Sequence, residues 1–257
     1  MPENTIPSFI KALEYPVTTL ELDLAVCKTG ELVISHEPWM SHHICSKPNG
    51  EPVTKEEEMS FNIMEMTPAK IKQFDCGKRG NERFPEQQKH TIHKPSLKEM
   101  VVAIDKYCEN TYKKKPAFNI EIKSHPQGYD KFMPQPGIFV DFVLNELRDL
   151  KIRSRACIQS FDPNVMNDLI KKDDYVTNAF LVENEDGVEE NLKKLTFRPD
   201  IYSVDYQLLT EEDIKKLHEM EIKVIPWTVN EKEDMIRLIS WGVDGIITDY
   251  PNYINDL

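Results

Sequence analysis

No apolar run in these 257 residues approaches the roughly 20 needed to cross a bilayer, so a helical membrane span is excluded. No basic block exceeds Lys113-Lys114-Lys115 and the net charge is −12, so the electrostatic footprint of a nucleic-acid binder is missing. A phosphate-bearing ligand would need local positive charge inside an otherwise acidic chain. The five cysteines, Cys27, Cys45, Cys76, Cys108 and Cys157, are odd in number and never spaced CxxC. That argues against a zinc site and a complete disulfide framework, and free or buried thiols are the expectation. Basic amphipathic helices of the kind that lie on lipid are lacking. So is a signal-peptide pattern, because Met1-Pro2-Glu3-Asn4-Thr5 leads straight into a helix.

What is present centres on Thr19 to Glu37, two strands joined by a turn at Lys28-Thr29-Gly30. Residues two apart on a strand point the same way, so Leu20, Leu22, Leu24 and Val26 share one face and Glu21 and Asp23 the other. Two adjacent carboxylates stay ionised together only near water or a cation, so they read either as a solvated face or as hard oxygen ligands for Mg²⁺ or Ca²⁺. The stretch Ala117 to Lys123 repeats the pattern, with Phe118, Ile120 and Ile122 opposite Asn119, Glu121 and Lys123. An apolar outer face with acids and a lysine inside suits a parallel barrel strand covered by helices, with a polar site at its carboxyl end.

The rest of the chain alternates. A helix from Asn4 or Thr5 to about Leu13 precedes the first strand, and a long tract from Pro38 to Lys94 has the composition of an insertion containing one short helix after Thr67-Pro68. Its histidines, His42, His43, His90 and His93, read as solvated loop positions. Ser96 caps a helix through Tyr107, and another runs from Pro136 or Gly137 to Leu150. Strands are then expected at 156–160, 178–182, 201–205, 224–227 and 245–248, the first four followed by helices. With Leu32 to His36 as an antiparallel return, the parallel strands number seven. The expectation is one domain over 1–257, an α/β (β/α)8 barrel with its first strand missing from this chain and an insertion at about 38–94.

Several segments together resemble the glycerophosphodiester phosphodiesterases: Pro2-Glu3-Asn4-Thr5, Glu21-Leu22-Asp23, Ser35-His36-Glu37, Asn119 to Lys123, Gln159-Ser160-Phe161-Asp162, Trp227-Thr228-Val229-Asn230 and Gly242 to Asp249. The resemblance covers nearly the whole chain. It implies a (β/α)8 barrel that hydrolyses glycerophosphodiesters to glycerol 3-phosphate and an alcohol with one divalent cation, Mg²⁺, Ca²⁺ or Mn²⁺. It matches Glu21, Asp23 and Glu121 to the metal ligands, His36 to one of two catalytic histidines and Lys123 to the lysine near the phosphate. Two departures stand out. The family's His-Arg-Gly strand, carrying the other histidine, does not occur in this sequence, and the usual His-Asp is His36-Glu37. The strand count and the motif thus converge on one expectation: a further strand lies upstream, and without it the barrel is less stable and less active.

On this reading His36 gives a proton to a leaving alkoxide, Lys123 stabilises charge on the phosphodiester, and Trp227 packs either against the glycerol carbons or in the core. Competing readings are a phospholipase C- or D-like barrel, which calls for a membrane-facing rim, and an impaired barrel that binds metal or phosphodiester without turnover. The expected partner is a small glycerophosphodiester, with no nucleic acid.

Overall fold

The computed structural model describes residues 1–257. Helix α1 (Ile6–Ala12) has Pro7 in its first turn, and Thr5 and Ser8 form its capping box. Strands β1 (Thr19–Val26) and β2 (Leu32–Ile34) then pair antiparallel, with Leu24 opposite Ile34 and Val26 opposite Leu32. Their turn closes through Gly30, whose φ of +83 suits glycine and whose missing Cβ leaves room for the Phe142 ring.

Helices α2 (Pro68–Ile71) and α3 (Leu97–Thr111) are followed by β3 (Ala117–Ile122) and α4 (Pro136–Asp149). Then come β4 (Ala156–Ser160), α5 (Pro163–Lys172), β5 (Thr177–Val182) and α6 (Gly187–Leu192). The last elements are β6 (Ile201–Val204), α7 (Glu211–Glu219), β7 (Lys223–Val224) and α8 (Lys232–Trp241). The sheet runs β2-β1-β3-β4-β5-β6-β7, parallel throughout apart from the β1–β2 hairpin.

The alternation seen in the sequence explains the layering. Leu20, Leu22 and Leu24 of β1 and Phe118, Ile120 and Ile122 of β3 share one buried cluster with Met100 and Ile104 of α3 and Phe139 and Val143 of α4. The apolar strand face therefore meets the helices, and the acids project to the opposite side.

The strand expected at 224–227 is shorter than the sequence suggests: regular ladder pairing stops at Val224, and Pro226 has no N–H to extend it. The segment 245–248 forms no regular strand. It runs beside β7 through single bonds, Asp244 N to Val224 O at 2.9 Å and Ile247 N to Pro226 O at 3.0 Å. On the other side of the sheet, Thr19 to Asp23 has a ladder partner only in β3.

The 38–94 tract is far from structureless. Met40, Ile44, Val53, Ile63, Ile71 and Phe74 build a small core of their own against Ala25 and Val33. Two thiol expectations are corrected there, because Cys45 and Cys76 are disulfide-bonded, whereas Cys27, Cys108 and Cys157 are free. Spacing alone could not reveal a pair 31 residues apart that the tract's own folding brings together. His42 is corrected likewise: its Nδ1 lies 2.6 Å from Glu58 Oε2, packed within the tract. The tract is anchored at both ends of its span. Trp39 meets Phe132 edge-on at 5.2 Å and Asn62 donates to Lys131 O at 2.6 Å, while Asn81 donates to Glu3 at 3.0 Å and Phe84 approaches Tyr250 at 6.4 Å.

Candidate active site

Parallel register brings the acids together. Asp23 of β1 is the direct partner of Glu121 on β3, and Glu21 pairs with Asn119, so all four side chains leave the same face of adjacent strands. One oxygen from each of Glu21, Asp23 and Glu121 falls within 4.8 Å of the others. Lys123, just past the end of β3, reaches back between them, with Nζ 3.0 Å from Asp23 Oδ1 and 2.9 Å from Glu121 Oε1.

Amide side chains brace this group. Asn4 donates to Asp23 Oδ2 at 2.7 Å and accepts from the Asp23 N–H at 3.3 Å. Gln159 of β4 donates to Glu21 at 3.0 Å and itself accepts from Asn119 at 2.8 Å. Asn119 Oδ1 is buried and has no donor. The bracing roles of Asn4, Asn119 and Gln159 went unread in the sequence. Asn119 was accessible there because it shares the Glu121 face, but the Gln159 contact depends on β4 lying next to β3.

The charges do not balance. Burial drives the Glu21 carboxyl well above its usual range, and Asp23 and Glu121 push the same way. Burial also raises Glu121, with Lys123 opposing, to about 7. Asp23 differs: burial pushes it up, but Lys123, His36 and Asn4 hold it below the ordinary aspartate value. Lys123 would lose affinity for its proton on burial, yet Asp23 and Glu121 raise it. One ammonium pairs with two of the three acids and Glu21 has none of its own, so the cluster is short of positive charge, and its donors are all hard oxygens.

His36 follows β2, with its side chain half exposed. Its Nδ1 is 3.1 Å from Glu37 Oε1, and that bond raises the imidazole against the opposing effect of burial, while Lys123 and Asp23 are the other charges it feels. Trp227 sits farther round the sheet. Its Nε1 donates to Ser203 O at 3.0 Å and its ring meets Phe161 edge-on at 5.3 Å, leaving it half-buried. Asp249, after the 245–248 segment, adds its charge to those felt by Glu21 and is held by Asn230 at 2.9 Å.

Comparison with known proteins gives the family and the fold. The glycerophosphoryl diester phosphodiesterase family profile matches residues 1–253. A glycerophosphodiester phosphodiesterase from Caldanaerobacter subterraneus subsp. tengcongensis is 30% identical over 259 residues, covering 100% of this chain and 92% of its own. One from Bacillus subtilis is 27% identical, covering 98% and 80%. Among solved structures, a Silicibacter pomeroyi protein named for the same family superposes with a TM-score of 0.84 at 27% identity, covering 98% of this chain and 86% of its own. An Oleispira antarctica phosphodiesterase solved with its product sn-glycerol-3-phosphate superposes with a TM-score of 0.76 at 19% identity, covering 99% and 90%. The fold is that of a (β/α)8 barrel, and no helix is long and apolar enough to cross a membrane. The chain belongs to the glycerophosphoryl diester phosphodiesterase family, among the phosphoric diester hydrolases.

Proposed function

We propose that this protein hydrolyses a small glycerophosphodiester to sn-glycerol 3-phosphate and an alcohol, with one divalent cation held by Glu21, Asp23 and Glu121. The observation that carries the reading is the convergence of three carboxylates, two buried and one half-buried, beside a single lysine that pairs with two of them. Oxygens that close fit within one coordination shell, and the charge deficit together with the donorless Asn119 oxygen suits a cation and a polar ligand. Bound there, such an ion supplies Lewis-acid stabilisation of a phosphoryl oxygen.

The chain's own residues do the rest. Lys123 sits between the strand ends, where its ammonium offsets charge that builds on the phosphodiester oxygens. His36 is half exposed and carries a raised affinity for its proton, so it meets substrate as an acid and gives that proton to the departing alkoxide. Asn4 and Gln159 hold the carboxylates in place before substrate arrives. Trp227 offers an aromatic face to the glycerol carbons. The product bound by the Oleispira antarctica phosphodiesterase supports the glycerol phosphate half of the assignment.

The test is sn-glycerol 3-phosphate release from glycerophosphocholine, with and without chelator, by the protein and by Glu121→Gln. We expect release to need the cation and to fall by about a hundredfold or more in the variant. Calorimetry should show metal binding weakened in parallel. Phosphocholine as the product, or turnover indifferent to both chelation and Glu121→Gln, would defeat the reading.

A further inference from the structure

Beside the acid cluster lies a lysine, buried along most of its length, whose ammonium has no protein partner. Lys94 is only 5% exposed, yet it makes no hydrogen bond and no ion pair within 4.0 Å. Its position is fixed by the backbone: Ser96 bridges antiparallel to Val33 of β2, and Ile34 N donates to Pro95 O at 2.9 Å. That pairing lays residues 94–96 alongside β2 and, continued one step, sets Lys94 opposite Ser35, two residues before Glu37. Burial lowers its hold on a proton, and the acids that oppose this are Glu37 foremost, then Glu3 and Asp23.

Two of those acids are already served. Asp23 has Lys123 and Asn4, and Glu3 has Asn81 at 3.0 Å and Arg83 at 3.4 Å. Glu37 is not. One oxygen holds the His36 ring, while the other, Oε2, is buried without any donor. A carboxylate in that state stays ionised only if positive charge stands near it. Burial would raise Glu37, but His36 and Lys94 bring it down to about 2.

Building on the hydrolytic reading above, we propose that Lys94 is a positioning residue: its charge keeps Glu37 anionic, and Glu37 in turn fixes the His36 ring. With the Nδ1–H donated to Glu37, Nε2 is the nitrogen that exchanges protons with substrate. The imidazolium gives its Nε2 proton to the leaving oxygen and remains as the neutral Nδ1–H tautomer, still bonded to Glu37. Lys94 itself touches neither substrate nor cation. It closes the 38–94 tract, so this charge effect also ties that tract's fold to the proton-transfer group.

A double-mutant cycle tests the idea. Lys94→Met keeps the side chain's bulk and should lower kcat about tenfold with KM little changed, as the loss of an outer partner does. Lys94→Arg should restore most of it. On a Glu37→Gln background, Lys94→Met should cost nothing further, because the two act along one path. Losses that multiply, or a rise in KM in place of the kcat effect, would overturn the proposal and point to Lys94 acting directly on substrate. The ¹⁵N spectrum of His36 supplies a readout independent of turnover. Neutral His36 should be the Nδ1–H tautomer in the unsubstituted protein and a mixture in Lys94→Met and in Glu37→Gln. An unchanged tautomer would reject Lys94 as a positioning residue even in a protein that hydrolyses nothing.

Discussion

The two flanks of the sheet are built to different standards. From β1 to β4 the ladders are long, running unbroken from Thr19 opposite Ala117 to Leu24 opposite Ile122, and Phe118, Ile120 and Ile122 are 0% exposed. From Lys223 to Thr248 the ladder is two residues long, Ile225, Ile246 and Ile247 are only half-buried, and Ile236 and Ile239 of α8 are more than half exposed. The carboxylates and Lys123 stand on the first flank; Trp227, Asn230 and Asp249 stand on the second. On the proposed function, the carboxylates and lysine that hold charge in a fixed geometry are carried by the tightly packed flank, and Trp227, assigned there to the glycerol carbons, by the looser one.

Truncation on the two flanks would break or uphold this contrast most visibly. Ile120→Ala removes a side chain from full burial between sheet and helices, and should cost about 3 kcal/mol. Ile247→Ala removes one already in part solvated and should cost about 1 kcal/mol or less. Chemical denaturation of both variants measures the difference. Equal losses would mean that the 245–248 segment is as firmly packed as β3.

A pH series sharpens the same contrast, since the packed flank also carries the misfit charge. Glu121 has its proton held to about pH 7 in the folded protein, against a usual 4.5 when exposed. Between those values the unfolded chain has released a proton that the folded one retains, so rising pH favours unfolding. The Glu121 contribution is whole below about pH 4.5 and is lost by the time pH passes about 7, a decline on the order of 3 kcal/mol in the metal-free protein, and Glu21, also raised, adds in the same direction. Asp23, shifted downward, acts only at more acid pH and leaves this window alone. A bound divalent cation competes with that proton, so saturating Mg²⁺ or Ca²⁺ should flatten the decline. Melts from pH 5 to 8 that fall equally with and without metal would dissociate the cluster from cation binding.

How far the sequence disclosed all this follows the same division. On the packed flank, period-2 alternation in β1 and β3 was enough to put the acids and the lysine on one face, because long strands with one buried side leave little choice of register. On the loose flank, Val224 to Trp227 and Gly245 to Thr248 carry strand-like composition, but Pro226 interrupts the ladder and single backbone bonds replace it. The Cys45–Cys76 bond, the His42–Glu58 contact and the burial of Lys94 were illegible for another reason. Each depends on how the 38–94 tract folds on itself, and that tract has neither helical nor strand periodicity to announce it.

The smallest expected effect concerns the pin between the flanks. Trp227 lies against β6: its backbone N–H bonds to Val204 O at 3.1 Å, its carbonyl accepts from Tyr206 at 3.0 Å, and its indole N–H bonds to Ser203 O at 3.0 Å. Trp227→Phe leaves both backbone bonds and an aromatic ring facing Phe161, and deletes the indole donor with part of the ring's bulk. One neutral hydrogen bond at a half-buried site is worth about 1 kcal/mol, or a Tm shift of roughly 2 to 4 °C in a chain of this size. Because the carboxylates and Lys123 belong to the other flank, kcat should hold to within about twofold while KM rises, the pattern of lost ground-state binding. Steady-state kinetics and a thermal melt on this one variant settle both points. A kcat loss comparable to that of Glu121→Gln would show that the indole acts on the reacting phosphate, and a melt as low as that of Ile120→Ala would show that the second flank holds the sheet together as much as the first.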